Sequence, residues 1–104
     1  MAHRRSKLEI YLEVLMLIRS GVNKPTRIMY GANLSWKPLQ QILRSLVEQE
    51  LIREVDARDK RDRRTTTYYV ITRKGESVLN YFSRARELIR MEELVSPSIL
   101  REYA

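Results

Sequence analysis

Cysteine is absent from the 104 residues, histidine occurs once and glycine three times. Without cysteine there are no disulfides, iron–sulfur clusters, thiol nucleophiles or cysteine-type zinc sites. His3 stands alone in a basic N-terminal stretch, so no histidine-based metal or catalytic cluster is expected. Gly21, Gly31 and Gly75 are too scattered for a phosphate-cradling glycine loop. Glu92, Glu93 and the other carboxylates lie on charged helical faces without a histidine or second-site partner. These absences predict a protein that is not an enzyme and uses no cofactor or metal. No apolar run reaches transmembrane length. The opening "MAHRRSKLEIYLEVLMLI" puts basic residues before apolar ones, as a signal peptide would. Glu9 and Glu13 interrupt it, and no small-residue cleavage site follows. A soluble cytoplasmic protein without a membrane partner is expected.

A second absence is more telling. Between Glu13 and Glu48 there is no acidic residue, yet the interval holds Arg19, Lys24, Arg27, Lys37 and Arg44. A solvated surface normally mixes both signs. A phosphate-facing one gathers cations and excludes carboxylates, because binding releases counterions in proportion to the phosphates neutralised. The whole chain carries 20 Lys+Arg against 13 Asp+Glu, a net charge of +7. Its length suits one domain with a limited core, which oligomerisation would extend.

Apolar spacing predicts a first helix from about Ser6, its N-cap, to Ser20, with Gly21 as the stop. Leu8, Tyr11, Leu12, Leu15 and Ile18 form one stripe and Ile10, Val14 and Leu17 a second, leaving Glu9, Glu13, Met16 and Ser20 as the wet edge. A helix apolar on two sides needs two covers, one of which a second subunit would supply. A second helix begins at Lys24–Pro25 and ends near Asn33, with Ile28, Met29 and Ala32 inward. A third spans about Ser35 to Gln49, with Ser35 as its cap and Leu39, Ile42, Leu43, Leu46 and Val47 at core spacing. The period then changes. "LIREV" (Leu51–Val55) and "TTYYVIT" (Thr66–Thr72) read as strands of a hairpin. Its tip holds "RDKRDRR", five basic and two acidic residues in a row. Thr72 caps a long helix reaching about Leu94. The fold class is therefore mainly α with a small β-hairpin: a winged helix-turn-helix over 6–72, a C-terminal dimerisation helix over 73–95, and a tail over 96–104.

"NKPTRIMYGANLSWKPLQQILRSLVEQELI" followed by "YYVITRKGESVL" resembles the archaeal winged helix-turn-helix family of small transcriptional regulators and dimeric chromatin-type proteins. The resemblance covers about Ser6 to Leu94. Its most specific pieces are Lys24–Gln40 and Val70–Leu79. It implies a DNA-binding dimer paired through the C-terminal helix as an antiparallel coiled coil. The wing is longer and more charged than that pattern, and the tail after Ser96 lies outside it.

The polar side of the third helix offers Lys37, Gln40, Gln41 and Arg44 for base readout: glutamine matches adenine, lysine or arginine matches guanine. Lys24, Thr26, Arg27 and Ser35 are candidate backbone contacts, which fix register without reading sequence. At the wing, Arg58, Lys60, Arg61, Arg63 and Arg64 suit the backbone or a narrow minor groove, with Arg73 and Lys74 as supplements and Asp59 and Asp62 as internal partners. Trp36 is expected to be partly buried against the turn. Val14, Leu17, Val78, Tyr81, Phe82, Ala85, Leu88 and Ile89 are the candidate dimer interface. The expected partners are double-stranded DNA and a second copy of the chain. The leading expectation is a sequence-specific homodimeric regulator acting on the nucleoid. A non-specific chromatin protein and a protein-interaction module are the alternatives.

Overall fold

The computed structural model describes residues 5–58 and 65–89. Their order is α1 (Lys7–Arg19), α2 (Pro25–Gly31), α3 (Trp36–Glu48), β1 (Ile52–Arg58), β2 (Thr65–Ile71) and α4 (Arg73–Leu88). This is the predicted mainly-α fold with one small hairpin.

Ser6 starts α1 with a capping box. Its Oγ accepts the Glu9 N–H at 3.1 Å, and Glu9 Oε1 accepts the Ser6 N–H at 3.3 Å. That exchange draws Glu9 inward. It is 1% exposed, which corrects its placement on the wet edge. Val14 is also corrected: at 0% exposure it is enclosed within its own domain and unavailable to a second subunit. Leu12, Leu15 and Ile18 join it in the core, while Leu8, assigned inward by spacing, is exposed. Leu17 is half-buried beside Gly31, where even an added Cβ would come within 3.2 Å of its methyls. Gly21 ends the helix with φ of 101°, a conformation that favours glycine.

Proline at the first turn of α2 costs no helical hydrogen bond. Asn33 then turns left-handed, with φ of 52°, and Leu34 N–H returns to Met29 O at 3.0 Å. This tight reversal sets α3 across α2. Leu39, Ile42, Leu43 and Leu46 of α3 are buried, at the predicted spacing. Leu79 of α4 and Ile52 of β1 close the same core.

The strands run antiparallel, Ile52 opposite Ile71 through Arg58 opposite Thr65. β1 is longer than predicted: Arg58, read as a tip residue, is its last residue, while β2 keeps the predicted length one position earlier. Tyr69 N–H bonds Asn23 O at 2.9 Å, tying the hairpin to the segment before α2. The root is bound to the end of α3. Thr72 N–H donates to Leu51 O at 3.1 Å, Thr72 Oγ1 to Glu50 O at 2.6 Å, and Lys74 Nζ to Gln49 O at 2.8 Å. Lys74 is thus hydrogen-bonded at the α3 C-terminus.

Thr72 caps α4 by accepting the Gly75 N–H. The helix stops at Leu88 and Ile89 is extended, so it is shorter than the predicted run to Leu94. No glycine or proline stands at that stop; residues 90–94 of the predicted helix lie outside the described residues.

Candidate nucleic-acid interface

Residues 14–47 form the second half of α1, all of α2 and the turn, and nearly all of α3. The acid-free interval therefore becomes one continuous part of the molecule. Lys24, Thr26, Arg27, Ser35, Lys37, Gln40, Gln41 and Arg44 are all exposed on it. Neither α2 nor α3 has an acidic residue in its first turn. Lys24 occupies the N-cap of α2 and Ser35 that of α3. Neither side chain makes a capping hydrogen bond, so Ser35 caps by position alone. On α2, Thr26 and Arg27 share a face with Tyr30, which is 76% exposed. Tyr30 was missed in the sequence reading, although its spacing of 4 and 3 from those two residues was the available signal.

The polar residues of α3 border two grooves. Gln40 and Arg44 line a cleft of about 260 Å³ between α3 and the hairpin, whose far wall is Glu54 and Tyr69. Gln41 lines a separate groove with Lys7, Tyr11 and Pro38, on the α1 side. Trp36 stands in the first cleft and is 46% exposed, more open than its spacing suggested.

The wing's described carboxylates both accept cross-strand hydroxyls. Tyr69 Oη donates to Glu54 Oε2 at 3.3 Å, and Thr67 Oγ1 to Asp56 Oδ1 at 2.8 Å. Burial, with Glu54 and Asp56 adding negative charge, pushes the Tyr69 phenol up to about 12. Arg58 is exposed on the same face of β1, two residues beyond Asp56. Lys60, Arg61, Arg63 and Arg64, with Asp59 and Asp62, lie outside the described residues.

Glu13, the last acid before the interval, is held by Arg5. The Arg5 guanidinium donates to Glu13 Oε2 and to Ala32 O, and at 3.1 Å to Asn33 O. It thus joins α1 to the turn before α3. Partners 27 and 28 residues away gave no signal in the sequence.

Of the candidate dimer residues, Tyr81 and Leu88 are 74% and 70% exposed and Ile89 is half exposed. Val78 and Phe82 are half-buried against the domain's own core, and Ala85 is half-buried beside them. Among the described residues no group of histidine, cysteine or carboxylates is placed to hold a metal. No helix among them is long and apolar enough to cross a membrane.

The family model for a winged helix-turn-helix matches residues 4–90. An uncharacterized protein of Methanocaldococcus jannaschii is 33% identical over 86 residues, 83% of this chain. The chain spans only 36% of that relative and 54% of a second from the same organism. A PadR family transcription regulator from Clostridium difficile matches with a TM-score of 0.69 at 14% identity, over 82% of this chain and 96% of that one. FabT of Streptococcus pneumoniae, solved in complex with DNA, matches with a TM-score of 0.60 at 18% identity, over 86% and 59%. At such identities the two structures share the fold.

Proposed function

The chain belongs to the winged helix-turn-helix family, and from that premise we propose that it is a sequence-specific regulator of transcription that binds double-stranded DNA as a homodimer. One observation carries the reading. The acid-free interval forms the helix-turn-helix and exposes Lys24, Arg27, Lys37 and Arg44 together with Gln40 and Gln41. Its neighbours in fold include regulators and one structure bound to DNA, which supports the same reading.

In this reading the exposed face of α3 enters the major groove. Lys37, Gln40, Gln41 and Arg44 meet base edges there. Lys24, Thr26, Arg27, Tyr30 and Ser35 meet phosphates and fix the register. Arg58, with Lys60, Arg61, Arg63 and Arg64, reaches the flanking backbone or minor groove. The chemistry is binding without catalysis, on nucleoid DNA in the cytoplasm. Tyr81 and Leu88 share one side of α4 with Val78, Phe82 and Ala85, and Ile89 follows directly at its end. Pairing two copies there covers that apolar side. A twofold dimer then offers two α3 helices to successive major grooves.

The test is selection of bound sites from random duplexes at fixed salt. The expected result is a two-half-site motif preferred by at least ~1000-fold over competitor DNA. Gln40→Ala with Gln41→Ala should relax that preference more than it lowers overall affinity. A bound pool without any enriched motif would assign the chain to the chromatin-type reading. No retention of any duplex at low salt would refute DNA binding itself.

A further inference from the structure

Trp36 is the first residue of α3 and the only tryptophan in the chain. Directly after it on the helix, Leu39 and Leu43 are buried, so the core is closed below. The indole remains 46% exposed. It stands at the edge of the polar face, beside Gln40 and Arg44. N-terminal residues of a recognition helix are the ones that reach base edges. Tryptophan is also a side chain enriched at the energetic centres of interfaces.

The surroundings narrow what it meets. The cleft that Trp36 lines also presents Glu48 and Glu54. These two carboxylates outweigh Arg44, the one cation lining the same cleft, and disfavour a phosphate there. The fitting group is neutral and apolar. In the major groove the apolar feature that distinguishes bases is the thymine C5-methyl, which projects at the flank of the base pair. We propose that Trp36 is a specificity-determining residue that packs its indole on a thymine methyl in each half-site, beside the polar readout by Gln40 and Arg44. The inference rests on the DNA-binding reading above.

Deoxyuridine removes that methyl and nothing else. In the selected duplex, each thymine is replaced by deoxyuridine in symmetric pairs, and affinity is measured for the intact chain, Trp36→Ala and Trp36→Phe. A buried methyl is equivalent to about fourfold in affinity, so one symmetric pair should weaken the intact chain by about fifteenfold. Trp36→Ala should bind the thymine duplex more weakly and be indifferent to the same replacement. Trp36→Phe, which keeps a ring, should retain part of the discrimination and covers the case in which Trp36→Ala fails to fold. Tryptophan emission of the intact chain should shift on the thymine duplex and shift less on the deoxyuridine one. Selective binding without a deoxyuridine effect at any position overturns the inference alone, as does full discrimination by either folded variant. Failure to bind any duplex overturns the DNA reading and this contact with it.

Discussion

Gly75→Ala should destabilise the fold although it replaces glycine by the best helix former. An added Cβ at Gly75 would lie 2.2 Å from Leu51 O and 2.8 Å from Ile71 Cγ1. The carbonyl cannot swing away without loss. Leu51 O accepts Thr72 N–H at 3.1 Å, and Leu51 N–H is bound to Leu46 O at 2.9 Å. Relief requires the start of α4 to move about an ångström away from β1, given ordinary carbon contact distances. Overpacking of this kind costs about 1–3 kcal/mol. Weakening the Thr72 hydrogen bond and its cap on Gly75 N–H adds about 1 kcal/mol each. Alanine returns about 1 kcal/mol through helix propensity. The net loss is about 2–4 kcal/mol, or roughly 10–25 °C in Tm for a chain of this size. Urea unfolding followed by far-ultraviolet circular dichroism measures it, and the midpoint should fall with an unchanged slope. An unchanged or higher midpoint would refute the close approach of α4 to Leu51.

Arg27→Ala should reduce the log–log salt slope of DNA affinity by about 0.9 per protomer, about 1.8 for a dimer; an unaltered slope would remove Arg27 from the phosphate contacts. The Tyr69 phenol is raised from 10.0 to about 12, so the folded state holds this proton more tightly than the unfolded one. Stability from this group is complete below pH 10 and declines as pH rises from about 10 to 12. Tyr69→Phe should flatten that decline in urea midpoints measured across the window, and an identical alkaline profile would assign it elsewhere. Leu88→Glu should give a monomer by sedimentation equilibrium. Leu88 is a cleaner probe than Phe82, which packs on its own core, and an unchanged dimer mass would exclude the α4 interface.

The elements were legible where apolar spacing and end signals agree. Pro25, Ser6 and Thr72 mark starts that the structure repeats, and Leu39, Ile42, Leu43 and Leu46 bury as their period requires. Legibility failed where a residue's character conflicted with its local role. Glu9 looked wet because it is charged, but the reciprocal cap with Ser6 turns it inward. Arg58 looked like loop because it opens a charged run, but backbone pairing to Thr65 keeps it in the strand. Val14 looked surplus because the stripe count of an isolated helix does not reveal how many neighbours surround it. Arg5 reaches the turn through tertiary hydrogen bonds that no local pattern encodes. For the candidate interface, composition located the surface. Helical spacing grouped Lys37, Gln40, Gln41 and Arg44, but only the position of the hairpin separated Gln40 and Arg44 from Gln41.

The distribution of carboxylates also bears on encounter. Glu48, Glu50, Glu54 and Asp56 begin only where α3 ends, and Glu76 and Glu87 follow on α4. The helix-turn-helix interval is therefore free of acid, while the hairpin and α4 mix both signs. In the field of a polyanion a molecule so charged feels a torque as well as a pull, and it turns while it is still diffusing. Fewer collisions are wasted on the wrong side. Arrival should be fast at low ionic strength and slow steeply as counterions shorten the reach of that field. Orientation would then be selected before the first side chain touches a base.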